Sequence, residues 1–575
     1  MAGFPGRPGR RRPGASPPRL RHRLLRGAGL GVVAAVALAA PADAHAQLES
    51  TQPNQSSVLA VAPTRVVLHF GEPVEIDFGS IRVIGPDGRR VDEGGTTHPG
   101  GDDHAVAIGL PAHLGAGTYV VAWRVISADS HPVHGAFVFS VGTAAGAGKA
   151  GAVARALESA TGSTPVGVTF FFVRLAGFVG LVLIVGVGAM VIVIRPSAAN
   201  RRAVSALMWW SWTAIVVSTV AGVAVQGVYA AGLPLGDALR PSLFDEVLHT
   251  RFGEVALARL VLCAGIVPVI PAVVRVLGRR PRPALWTLLG AVLSLGLLST
   301  PGLAGHASTG GSAIVGLALD VVHLAAASVW LGGLALLLTL ALSGRRQDSD
   351  PDPVWAAARH FSGYAFGAVV AVVATGVAQS VREVGSIYAL THTTYGRTLL
   401  GKVGAVALLV VGGAVSRRAV HRAGAARPAP GAHRLRRSVA AELAVGLVVL
   451  GVTALLVNAA PAKQAASQPF SDSFEVLGVQ VNAIVDPARV GPGNQFHFYV
   501  LGRLGQPVAI PELDASISLP AQRVGPLALP VVVSGPGHYR ASDVDIPLAG
   551  SWTLKITVRT TPIDEQAVVA TFPVH

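Results

Sequence analysis

The sequence predicts a multi-domain membrane protein in three parts: an exported all-β sandwich, a bundle of eight transmembrane helices, and a second exported sandwich of immunoglobulin-like form. Three observations carry this. Residues 166–460 hold eight apolar segments, each near or above the roughly 20 residues that cross a bilayer. Arginines crowd into alternate connections between those segments. The regions on either side instead show short alternating runs between Gly and Pro turns.

The chain has 575 residues, 51% hydrophobic and only 13% charged. Its one cysteine, Cys263, lies in an apolar segment, which excludes an intramolecular disulfide and a thiolate metal site. Three methionines (Met1, Met190, Met208) exclude a Met-rich Cu(I) site. The net charge of +15 is explained by where the arginines sit, so no nucleic-acid partner is expected.

Residues 1–44 read as a signal peptide. An Arg-rich start (Arg7 to Arg26) precedes an apolar run, Gly27 to Ala40, and the small-residue site Ala42-Asp43-Ala44. Cleavage there would make His45 the N-terminus. Its α-amine, with a reference pKa of about 8, and its imidazole could then hold one metal ion together. Two nitrogens from one residue suit the tetragonal geometry of Cu(II).

Residues 45–142 form the first sandwich. Strands are expected over 65–70, 80–84, 105–108, 118–125 and 135–141, with a turn at Gly85-Pro86-Asp87-Gly88. Between the last two strands lies Ser127-Ala128-Asp129-Ser130-His131-Pro132. In extended chain Asp129 and His131 share a face and can complete a metal square begun by His45. The plain alternative is a polar hairpin with a turn-forming Asp. His98, His104 and His113 read as loop histidines, Asp102-Asp103-His104 as a weak secondary site, and His134 as a neighbour of the main site.

A Gly/Ala/Thr-rich linker, 143–165, leads into the membrane domain, 166–460. Its spans fall near 166–194, 204–231, 254–277, 284–305, 313–342, 358–384, 396–416 and 438–460. With the first sandwich outside, cytoplasmic connections carry clusters such as Arg279, Arg280 and Arg282 or Arg434, Arg436 and Arg437. Exterior ones carry only Arg240, Arg251, Arg382 and Arg397. An even span count puts the C-terminal domain outside too. Ionisable groups in a bilayer are costly, which singles out Asp320 and His323. Three apart, they share one helix face, about 10–15 Å below the exterior surface. His306 lies near the mouth above them. A structural hydrogen bond to a neighbouring helix is the alternative reading of the pair. Trp330-Leu331-Gly332-Gly333 would let another helix approach closely. Arg174, Glu254, Arg259, Arg382, Glu383 and Lys402 read as snorkelling residues near span ends.

A polar linker, 461–473, precedes the second sandwich, 474–575. Runs 474–481, 495–500 and 552–558 alternate like strands, with turns at Gly491-Pro492-Gly493-Asn494 and Gly535-Pro536-Gly537. His497 and His538 read as lone structural histidines.

Three stretches carry a resemblance to known families. His45-Ala46-Gln47-Leu48, Val67-Leu68-His69-Phe70 and Gly117-Thr118-Tyr119 through His131-Pro132 resemble the CopC family of periplasmic copper proteins. That resemblance implies Cu(II) held by His45, Asp129 and His131, without the Met-rich Cu(I) site of some members. Gly305-His306-Ala307, Asp320-Val321-Val322-His323-Leu324 with Trp330-Leu331-Gly332-Gly333, and Tyr395 to Lys402 resemble the CopD family of copper-handling membrane proteins. Residues 474–575 resemble a YtkA-like domain. The resemblance implies copper binding outside the cytoplasmic membrane and copper transport across it, with uptake the favoured direction and His306, Asp320 and His323 on the path. The alternatives are copper resistance by exterior sequestration or export, and a copper-dependent membrane oxidoreductase; an enzyme is not expected. The expected partners are copper ions, the lipid bilayer and an unidentified exterior copper chaperone.

Overall fold

The computed structural model describes residues 48–53, 58–59, 61–127, 132–142, 164–275, 277, 284–305, 313–343, 353–423, 432–459, 461–462, 470–486, 488–502, 508–535 and 537–574. His45, Asp129, His131 and His306 lie outside the described residues.

The first sandwich packs two antiparallel-paired sheets. One holds β1 (Leu48–Gln52), β3 (Arg65–Phe70) and β5 (Ala105–Gly109) in the order β1-β3-β5. The other holds β2 (Val58–Leu59), β4 (Val74–Ile84), β6 (Gly117–Ser127) and β7 (Pro132–Val141) in the order β2-β7-β6-β4, with β2 joining in parallel. Alternation on β6 sends Tyr119, Val121, Trp123 and Val125 into a core with Val66, Leu68, Phe137 and Phe139. Phe70 meets Trp123 edge to face, centroids 5.4 Å apart. The expected strands are present. The sequence reading missed β1, β2 and the first half of β4, which are short or interrupted by polar residues.

Eight described helices or kinked helix pairs are long and apolar enough to cross a membrane, at 165–194, 198–231, 251–275, 285–303, 313–343, 354–384, 394–418 and 435–456. They match the eight expected spans within a few residues. The helices are α1 (Thr164–Ile194), α2 (Arg201–Ala231), α3 (Pro241–His249), α4 (Arg251–Ile266), α5 (Val269–Arg275), α6 (Ala284–Leu303), α7 (Ala313–Ser343), α8 (Pro353–Val384), α9 (Ile387–His392), α10 (Thr394–Ala423) and α11 (Ala432–Leu456). The third span is broken between α4 and α5 at Pro268, which has no N–H for the helical ladder. Short helices α3 and α9 fill two connections at one end of the bundle.

The small residues of α7 act as expected. A Cβ on Gly332 would sit 2.6 Å from the Cα of Gly186, so α1 and α7 touch backbone to backbone there. Gly333 likewise admits the ring of Phe361 from α8.

The second sandwich has a five-stranded sheet, β13-β14-β10-β9-β8, and a four-stranded one, β12-β11-β15-β16. Its strands are β8 (Phe470–Val476), β9 (Val479–Asp486), β10 (Gly491–Leu501), β11 (Glu512–Leu519), β12 (Val524–Ala528), β13 (Val532–Gly535), β14 (His538–Ile546), β15 (Gly550–Arg559) and β16 (Glu565–Val574). Trp552, Phe496, Phe498 and Phe572 anchor its core. Three expectations are corrected. The run 474–481 is a hairpin, turning at Leu477 and Gly478, both with positive φ. Gly491–Asn494 opens β10 through a register shift rather than ending a turn. β8 starts at Phe470, inside the stretch read as linker.

Candidate functional site

The first sandwich is docked on the bundle by the outward face of β6. Its inward residues fill the sandwich core, so Arg124 and Ile126 point the other way. Ile126 is buried among Val166 and Phe170 of α1, Val228 and Ala230 of α2, and Leu243 and Val247 of α3. Arg124 is 5% exposed. Its Nε donates to the carbonyl of Ala230 at 2.6 Å and its Nη2 to that of Tyr229 at 2.5 Å. These carbonyls belong to the last turn of α2, where no intrahelical donor remains. Gly232, at φ 69°, ends the helix and lies beside the guanidinium. Arg124 thus supplies a cationic cap to a transmembrane helix. A second tie runs from the backbone N–H of Arg251 to Glu75 Oε1 at 3.2 Å.

The stretch carrying Asp129 and His131 joins β6 to β7 across the pair Ile126↔Pro132. β6 ends at Ser127 and β7 begins at Pro132, both at the docked end of the sheet. Ser127 donates to Glu72 Oε1 at 2.6 Å. His134, opposite Arg124 in the ladder, has its pKa lowered by burial and by that guanidinium. His98 and His104 place their Nδ1 atoms 2.8 Å and 3.3 Å from the carbonyls of Ala105 and Phe70, and Asp102 caps the N–H of His104. These contacts fit structural roles. Among the described residues no group of three His, Cys, Asp or Glu side chains converges as a metal cage.

Asp320 and His323 share a face of α7, and that face meets α8. His323 Nδ1 lies 2.8 Å from Thr375 Oγ1, and Gln379 Nε2 donates to Asp320 Oδ1. Gly376 of α8 lies beside the His323 ring. Lys402 of α10 lies within electrostatic reach of both Asp320 and His323, and Glu383 and Asp320 both act on Tyr395. Three helices thus assemble two acids, an imidazole, an amine and three neutral polar groups inside the bilayer span. The structural alternative for Asp320 and His323 is met in part, since both have partners on a neighbouring helix. The sequence reading missed Thr375 and Gln379, whose spacing of four on α8 matches the spacing of three on α7. It also missed Arg124, although a lone arginine in an apolar strand was the signal.

Several residues read as snorkelling have internal partners instead. Arg174 stacks on Phe170 at 4.2 Å and donates to Asn458. Arg259 donates to Thr300 at 2.9 Å, and Arg382 is 4% exposed. Arg174 is thus satisfied just beyond the end of α11, and Arg259 by a hydroxyl of α6.

A β-sandwich clamped over a bundle of eight membrane-length helices, with an ionisable cluster inside it, defines a multi-pass membrane protein. The CopC domain family matches residues 48–142. The copper resistance protein D-like N-terminal domain matches 163–317, and copper resistance protein D matches 355–456. Copper transport protein CutJ of Bacillus subtilis (strain 168) is 29% identical over 474 residues, 81% of this chain and 83% of its own. Copper resistance protein C of Pseudomonas syringae pv. tomato is 33% identical over 113 residues, 19% of this chain and 89% of that one. Protein YobA of Escherichia coli (strain K12) is 32% identical over 98 residues, 17% of this chain and 79% of that one. A crystal structure of CopC from Methylosinus trichosporium OB3b aligns at 32% identity over 17% of this chain and 93% of its own, with a TM-score of 0.16. CopC and CopD domains thus lie together in one polypeptide.

Proposed function

We propose that this protein captures copper at its first sandwich, outside the cytoplasmic membrane, and moves it inward through the helix bundle. His45, Asp129 and His131 hold Cu(II), and the path runs from His306 to Asp320 and His323. The observation that carries this is the docking of β6 through Arg124 and Ile126. It holds the last residues of β6 on the end of the bundle where α1 begins and α2 ends. Alternation of the spans puts the N-terminal third of α7, with Asp320 and His323, toward that same end. An imidazole and a carboxylate are donors that accept copper, and the neighbouring amine balances the carboxylate when copper is away. The clustering of arginines at the opposite end supports an exterior position for both sandwiches.

The names of the CopC and CopD relatives favour a second reading, copper resistance. Copper accumulation in cells with and without the chain separates the two. Less copper without it under limitation means uptake. More copper without it under excess means resistance, and no difference in either condition would remove transport from the reading.

A further inference from the structure

The two histidines of the second sandwich, expected to stand alone, meet. His497 on β10 and His538 on β14 lie diagonally across one ladder, on the face opposite Phe496, Phe498 and Tyr539. His497 Nδ1 and His538 Nε2 are 3.1 Å apart, with ring centroids 5.3 Å apart and planes 19° from parallel. That centroid distance is close to the nitrogen gap plus the two ring radii, so the rings are nearly coplanar and their nitrogens point at each other. The Tyr499 ring stacks on His538 at 4.4 Å and 9°, fixing its orientation. Both imidazoles are held neutral. Burial, then His497 and Arg540, push the His538 pKa down to about 4, and burial and Arg540 lower that of His497.

We propose that His497 and His538 form a second metal site, a two-coordinate site for a monovalent soft cation, Cu(I) or its probe Ag(I). Two metal–nitrogen bonds of about 2 Å each need in-line nitrogens about 4 Å apart. Opening the present gap by about 1 Å through small χ rotations achieves this; the bridging N–H proton passes to solvent and the far nitrogen of the same ring takes one up, so both donors stay neutral as the ion enters. Charge selects the valence. The cross-strand neighbours of the pair are Arg540, Ile484, Tyr499 and Gly535, none of them anionic. A cation beside the site opposes a dication more strongly than a monocation. Two neutral donors in line, without a third ligand, match the linear coordination that d10 monovalent ions accept and Cu(II) does not.

The test uses the full chain in detergent, without oxygen, titrated with Cu(I) and separately with Ag(I). In the His45→Ala protein, whose second sandwich is untouched, one equivalent of Cu(I) should remain bound. Its X-ray absorption edge should be that of linear two-nitrogen coordination. Adding His497→Gln and His538→Gln should remove that equivalent and lower the Ag(I) stoichiometry by one. The Cu(II) content of a His45-intact protein carrying the same two changes should not move. No retained Cu(I) in His45→Ala overturns the site, and so does a stoichiometry that survives loss of both histidines. Because this readout is binding at the second sandwich, it is independent of whether the bundle transports copper.

Discussion

Arg124 and Ala230, 106 residues apart in sequence, are joined by a hydrogen bond of 2.6 Å from the Arg124 Nε to the Ala230 carbonyl. Through it the first sandwich caps the second transmembrane helix. A charged donor on a buried carbonyl is worth about 1.5–3 kcal/mol, and Arg124 makes two such bonds.

Replacing Arg124 with Ala should therefore loosen the junction by a few kcal/mol at most, while the Cu(II) affinity of the sandwich stays near normal. Amide exchange at residues 226–232 should rise at least tenfold, and copper movement should fall. Lysine, with its single compact head, should restore only part of the protection. Unchanged exchange and transport in Arg124→Ala would show that Ile126 alone holds the dock.

His323→Ala and Asp320→Asn should each reduce copper movement by tenfold or more and leave Cu(II) capture intact. Adding His306→Ala to His323→Ala should cost little further if both serve one path, because deletions along one series route do not add. Transport at the normal rate in both single variants would make Asp320 and His323 structural.

One alanine placed ahead of His45 in the mature protein keeps every side chain but moves the amine off the histidine. Cu(II) affinity should then fall by orders of magnitude, as in His45→Ala, at about 1.4 kcal/mol per tenfold. Retained affinity would put the metal elsewhere.

The second sandwich should lose stability in mild acid. The folded His538 takes a proton only near pH 4, whereas an unfolded imidazole does so near 6.5. Its folded pKa is depressed, so its contribution is complete above about pH 6.5 and is lost as pH falls toward 4. Melting of that domain should drop across this window in the wild-type chain. The drop should be smaller in His538→Gln, and equal slopes in the two proteins would refute the assignment.

Gly332→Leu should prevent α1 from reaching α7, because even a methyl group there meets Gly186 at 2.6 Å. Loss of folded protein in detergent, read by thermal aggregation, is the expected outcome. The same change at the exposed Gly363, where nothing lies within reach, should be tolerated.

Elements whose side chains repeat were legible from the chain. Eight apolar segments gave eight spans because length and hydropathy alone decide membrane crossing. Strands 65–70 and 105–109 were legible because both faces are apolar enough to exceed their surroundings. The hairpin at Leu477-Gly478 was not, since alternation runs through a two-residue turn without a break. At the site, Asp320 and His323 stood out by the cost of placing them in lipid. Their partners Thr375 and Gln379 did not, because neutral polar residues on a helix have many uses and only packing pairs them. The His497–His538 meeting depends on the ladder register between strands 37 residues apart, which no local pattern encodes.

The Arg124 cap also bears on how the protein is made. The sandwich precedes α2 in the chain, so the guanidinium is synthesised before the carbonyls it will cover. Those carbonyls sit at the lip of the bilayer and stay without this cap until the sandwich has folded and settled on them. Completion of the second helix is thereby tied to successful folding of the domain ahead of it. A chain whose first sandwich misfolds keeps an unfinished helix end at the membrane surface.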